Sequence, residues 1–202
     1  MDNAVALVQT YLHINGYFTV AEYPVIEAVG KEKYRMATDL DILAFRFPGA
    51  GHLLPGKQGE EGVYTPDPVL RCPDDQADML VGEVKEGHAV LNRGATDPVV
   101  LRSMLARFGC CSMHDVGHLV QQLISKGRTT APSGHLVRLV AFGSGAASVE
   151  GRHYDVIDLG HVVQFLQDYL RQHWEVLRHT QFKGPALGFL MTLEKAIVGL
   201  RE

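Results

Sequence analysis

The chain has 202 residues, of which 46% are hydrophobic and 21% charged, with a formal net charge of −4. That length suits one domain with a substantial core, and the weakly acidic balance lacks the basic signature of a dedicated nucleic-acid-binding module, although it leaves local charge distribution open. Three cysteines, Cys72, Cys110 and Cys111, make no paired disulfide framework, and no run approaches the ~20 apolar residues of a membrane span. The opening MDNAVALVQTYLHING has no basic stretch ahead of a cleavage site, so the expectation is a reducing, cytoplasmic setting with no membrane partner.

Val5, Leu7, Val8, Tyr11, Leu12 and Ile14 recur at helical spacing and predict a helix over 3–14, stopped by Asn15-Gly16. The β-branched and aromatic run YFTVAEYPVIEA predicts a strand edged at Pro24. After the charged turn KEKY, ATDLDILAFRF predicts a second strand. Leu40, Ile42 and Ala44 fall on one face, and Asp39, Asp41, Leu43 and Phe45 on the other. Residues 48–77 are crowded with Gly and Pro and read as a loop insertion between strands. DMLVGEVKEG predicts a third strand.

Beyond it, Asp97, Pro98 and Gly109 punctuate a helix with Val100, Leu101, Met104, Leu105 and Phe108 on its apolar face. SMHDVGHLVQQLISKG reads as another helix, with Ser112 and Asp115 placed as a capping box. HLVRLVAFG is a near-continuous apolar strand, the pattern of a sheet covered on both faces, and HYDVIDL is a candidate further strand. Helical spacing returns over 161–178 and again from Pro185, where Leu190, Leu193, Ile197 and Leu200 carry the stripe. The organisation expected is an α/β core over 1–158 and a helical C-terminal extension over 159–202 packed on the same domain.

VGEVKEG is the anomaly in this pattern. Glu83 and Lys85 lie two apart, hence on one face of a strand that is otherwise apolar. Burying such charges costs several kcal/mol unless they are paired or bind something. If the second and third strands are neighbours, Asp41 joins them. Two carboxylates beside a lysine make a hard-cation site that also accepts phosphate oxygens, with the metal and lysine able to orient a water.

A helix and three strands, with DILA in the second and GEVK in the third, are followed by a helix and a strand. Over residues 3–143 this resembles the PD-(D/E)XK, or restriction-endonuclease-like, nuclease superfamily. The resemblance implies an αβββαβ core with a mixed central sheet flanked by helices. It implies that Asp41, Glu83 and the backbone carbonyl of Val84 hold Mg²⁺ or Mn²⁺, and that Lys85 positions or activates the attacking water. The activity implied is hydrolysis of phosphodiester bonds, of DNA in the first instance with RNA left open. A homodimer follows by analogy where duplex cleavage needs two active sites. Many members place a glutamate on the first helix; here only Asp2 stands at its start, and Glu22 on the first strand is the candidate substitute. The alternative reading is a catalytically silent nuclease-fold module for interaction or nucleic-acid binding.

Other residues have plainer readings. Asp39 is balanced between a further ligand and a strand-start residue. Glu86 faces away from Lys85, and Asn92 and Arg93 could reach a phosphate, although loop polarity explains them more cheaply. Cys110, Cys111, His114 and His118 invite a zinc reading, but the two histidines oppose the apolar stripe and adjacent cysteines lack ligand spacing. The 161–178 helix with Trp174 could dock a partner subunit, and a core role within the chain suits it at least as well.

Overall fold

The computed structural model describes residues 2–55, 61–145 and 153–199. Helix α1 (Asn3–Ile14) begins behind Asp2, whose carboxylate accepts the Ala4 N–H at 2.8 Å. Strands β1 (Phe18–Gly30) and β2 (Lys33–Arg46) form a long antiparallel hairpin. Inside the 48–77 segment, β3 (His52–Pro55) and β4 (Glu61–Tyr64) pair as a separate two-stranded sheet. The sequence reading has only a loop there, because four-residue strands among glycines and prolines leave no readable period. Then come β5 (Asp78–Lys85), α2 (Pro98–Arg107), α3 (Val116–Lys126), β6 (Arg128–Thr130), β7 (Leu136–Gly143) and β8 (Asp155–Asp158). The chain closes with α4 (Leu159–Gln172), α5 (Trp174–Leu177) and α6 (Pro185–Gly199).

The main sheet is mixed and has six strands in the order β1-β2-β5-β7, with β6 and β8 sharing the far edge of β7. The β1–β2 and β2–β5 pairs are antiparallel, whereas β7 runs parallel to β5. Parallel neighbours need a crossover, and α2 and α3 supply it. This makes an α/β architecture in which both sheet faces are covered. On one side Val8 and Leu12 of α1, Leu166 of α4 and Leu190 of α6 pack on Ile42 and Phe142. On the other, Leu101 and Leu105 of α2 and Leu123 of α3 pack on Leu43, Val81 and Leu139.

The C-terminal extension is therefore one of the two layers that complete the core. The helix expected over 161–178 breaks at His173, where φ is −107° and ψ 20°; Trp174 opens the next turn and packs partly buried against the first core. Leu200, expected on the last stripe, lies outside the described residues. No helix among the described residues is long and apolar enough to cross a membrane.

The alternation expected along β2 is broken. Leu40 packs with Leu43 on the α2–α3 side, while Ile42 and Ala44 pack on the α1 side. The slip sits at Asp41. Opposite it, Glu22 has a left-handed φ of 52°, and ladder pairs Ala21↔Ile42 and Tyr23↔Leu40 flank that level. A left-handed residue in a strand kinks it and turns the following side chains over.

Candidate active site

The ladder between β2 and β5 ends at the pair Ile42↔Gly82, and beyond it the strands part. Asp41 stands at the split. Its Oδ2 accepts the N–H of Val84 at 2.8 Å, replacing the backbone acceptor that a continuing ladder would provide. In a strand the N–H and C=O of one residue point to the same neighbour. The Val84 carbonyl therefore also faces the side on which Asp41 lies. Gly82 permits the close approach that precedes the split: a Cβ there would lie 2.5 Å from Ile42 Cγ2.

Glu83 is fully buried. Its Oε1 accepts the Asn92 side-chain amide at 2.6 Å and also meets the Lys85 ammonium. Its Oε2 is buried and has no hydrogen-bond partner among the described residues. Burial pushes the Glu83 carboxyl above its ordinary range, with nearby Asp41 adding to the rise, while Lys85 and Asn92 oppose it. Lys85 responds differently to the same pairing. Its hydrogen bond to Glu83 raises its pKa against a smaller desolvation effect, with Asp41 and Asp2 contributing. The asymmetry follows from exposure, since the Lys85 side chain is 39% exposed and that of Glu83 0%. Lys85 thus stands as an ammonium, which makes it a donor and counter-charge and removes it as a ready base.

Asn92 is more than loop polarity. While its amide nitrogen serves Glu83, its Oδ1 accepts the Ala95 N–H at 2.7 Å, and its carbonyl accepts the Thr96 hydroxyl at 3.2 Å. These bonds tie the Asn92 turn to the end of β5. Sequence alone held no sign of this, because an asparagine that only shapes a turn and one that also reaches back to a strand look the same. Of the two candidate acids near α1, Glu22 accepts the Asp2 N–H at 3.3 Å, and Asp2 is close enough to act on Lys85. Asp39 is exposed opposite Pro24, and its carboxylate has no hydrogen bond or ion pair among the described residues. Glu86 is exposed.

The cysteine–histidine group does not assemble. Cys110 is buried, its thiol donating toward Met79 Sδ at 3.5 Å. His114 lies ahead of α3, which starts only at Val116, and His118 pairs with Gln122 at 2.8 Å.

Among the described residues no three His, Cys, Asp or Glu side chains gather closely enough to hold a metal ion. The groups that could hold a cation are thus two carboxylates, Asp41 and Glu83, and the Val84 carbonyl. That set suits a hard ion which keeps most of its waters, and the unpartnered Glu83 Oε2 is the atom that fits it. Compared with protein-family models, curated proteins and solved structures, the chain matches none.

Proposed function

We propose that the chain is a divalent-cation-dependent nuclease that hydrolyses phosphodiester bonds, of DNA in the first instance, through Asp41, Glu83 and Lys85. One observation carries this reading: a fully buried carboxylate with one oxygen unpartnered, beside a second carboxylate and an ammonium at a strand end. Buried polar atoms are almost always satisfied, and an orphan costs about 1–3 kcal/mol. A buried acid kept only for packing would find its partners inside the fold. The element order adds support: leaving aside the β3–β4 hairpin, a helix, three antiparallel strands, a helical crossover and a strand parallel to the third resemble the αβββαβ arrangement of the restriction-endonuclease-like superfamily.

Mg²⁺ or Mn²⁺ would be held by Asp41, Glu83 and the Val84 carbonyl, and when bound would supply positive charge to the phosphate and acidify a bound water. Asp41 holds the split between β2 and β5 open in a defined geometry through its bond to Val84 N–H. Lys85, protonated and partly exposed, donates to a phosphate oxygen or to the water that attacks it. The buried side of the site excludes solvent from Glu83, which strengthens each of these interactions.

The test incubates the purified chain and Mn²⁺ with supercoiled, linear, branched and single-stranded DNA. Cleavage by the wild type that is lost in Lys85→Ala and Glu83→Ala, both still folded, supports the reading. Wild-type protein that leaves all four substrates intact defeats it. A second reading, a nuclease-fold module that binds without cutting, draws on the lack of a third acidic ligand among the described residues and on the Lys85 ammonium already sitting against Glu83. Under it, DNA is retained without cleavage and Mn²⁺ leaves the melting temperature unchanged.

A further inference from the structure

We propose that Asn92 fixes Glu83 as a one-oxygen ligand and so sets the preference of the site for Mg²⁺ and Mn²⁺ over Ca²⁺. The inference rests on the metal-site reading and adds to it a residue that selects the ion. The two oxygens of Glu83 are not equivalent. Oε1 is taken twice, by the Asn92 amide at 2.6 Å and by Lys85, whereas Oε2 is buried without a partner. Of the two groups on Oε1, only Asn92 is itself pinned. Its Oδ1 is held by Ala95 N–H at 2.7 Å. Its turn also lies close against β2: a Cβ on Gly94 would fall 2.6 Å from Thr38 Oγ1 and 2.8 Å from Thr38 Cβ. Lys85 reaches Oε1 from a long, flexible and partly exposed stem.

The consequence concerns coordination number. Ca²⁺ takes six to eight oxygens and favours bidentate carboxylates, while Mg²⁺ demands octahedral geometry and binds through single carboxylate oxygens with several waters retained. A Glu83 that can present only Oε2 withholds the bidentate contact from Ca²⁺ and loses nothing toward the smaller ion. Asn92 therefore acts through Glu83 as a positioning residue, and its removal changes which ion is favoured as well as how tightly any ion is held.

The experiment titrates the full chain with Mn²⁺, followed by the electron paramagnetic resonance signal of free Mn²⁺, and repeats the titration with Ca²⁺ as competitor. Asn92→Ser keeps an oxygen able to accept Ala95 N–H but is too short to reach Glu83. Gly94→Ala is the second variant, since its methyl group crowds Thr38 and shifts the turn that carries Asn92. The expected result is a Mn²⁺-to-Ca²⁺ affinity ratio lower by about 10-fold in either variant that retains the wild-type melting temperature, the scale on which outer-shell partners act on metal sites. A merely structural role would weaken both ions alike. A ratio unchanged in the folded variants, with Mn²⁺ binding still abolished by Glu83→Ala, overturns the inference and leaves the metal site standing. Wild-type protein that binds no Mn²⁺, or binds it equally well as Glu83→Ala, overturns both.

Discussion

Asp41 Oδ2 accepts the Val84 N–H at 2.8 Å, so a side chain of β2 takes the place of β2 backbone where the ladder to β5 ends. One carboxylate oxygen thus has a structural duty, and the proposed metal site would use the other. The two duties separate by substitution. Asp41→Asn keeps an oxygen that can accept from Val84, whereas Asp41→Ala orphans that N–H, at a cost of about 1–3 kcal/mol. Urea unfolding is expected to place Asp41→Asn near the wild type and Asp41→Ala below it. DNA cleavage in Mn²⁺ is expected to be lost in both. An Asp41→Asn chain that cuts at the wild-type rate removes Asp41 from the active site.

Glu83 makes a prediction in metal-free buffer. Burial raises its folded-state pKa, so between the ordinary glutamate range and that raised value the native chain binds more protons than the unfolded chain. Stability contributed at this position is then greatest at low pH and declines as pH rises through the window. Glu83→Gln removes the titration. Unfolding free energies measured between about pH 4 and pH 8 are expected to show the wild type losing ground to Glu83→Gln as pH rises. A difference that is flat or grows the other way would mean that pairing with Lys85 outweighs desolvation.

Much of this architecture was legible because local chemistry and tertiary packing agree. Asp97 and Pro98 open α2 as their types predict, Asp97 accepting Val99 N–H at 2.7 Å, and the apolar run of β7 is buried as a central strand. The sequence places Asp41 near Glu83 and Lys85 only on the condition that the second and third strands pair, and β2 and β5 do pair up to Ile42↔Gly82. The face of Leu40 is not legible, because the side chains change faces across the Glu22–Asp41 level, and a glutamate gives no warning of a left-handed φ. β6 escaped notice at three residues, and it is ordered by pairing with β7 instead of by its own pattern. The bond from Asn92 to Glu83 is not legible either, because a loop side chain reaching back to a strand has no sequence period.

The cysteines test the zinc reading. Burial, assisted by the adjacent Cys111, pushes the Cys110 thiol up to about 11. At pH 8 only about one in a thousand such thiols is ionised, and the thiolate is both the nucleophile and the zinc ligand. Cys110 is expected to resist a disulfide reagent in the native chain and to react promptly once denaturant exposes it. Metal analysis of purified protein is expected to find no stoichiometric zinc. Rapid native labelling of Cys110 would contradict its burial.

The opposite end of β5 carries a second buried charge, and it behaves differently. Asp78 is fully buried, and Arg138 on β7 meets it with Nε at 3.0 Å and a terminal nitrogen at 2.7 Å. Tyr17 donates to Asp78 at 2.5 Å, and Arg138 also reaches Asp155 at 2.8 Å and the Leu70 carbonyl at 2.9 Å. The Asp78 and Arg138 side chains are therefore both engaged within the fold, unlike Glu83 Oε2. Removing one partner leaves an uncompensated buried charge, so Arg138→Met is expected to cost about 3–5 kcal/mol, and Asp78→Asn in the same chain to recover much of that loss. Asp78 lies five residues before Glu83, roughly 17 Å along an extended strand. The double variant, once folded, is accordingly expected to bind Mn²⁺ with wild-type affinity. A loss of Mn²⁺ binding at retained stability would show that the two ends of β5 are coupled, and that the charge pair at its start helps to set the geometry of the site at its end.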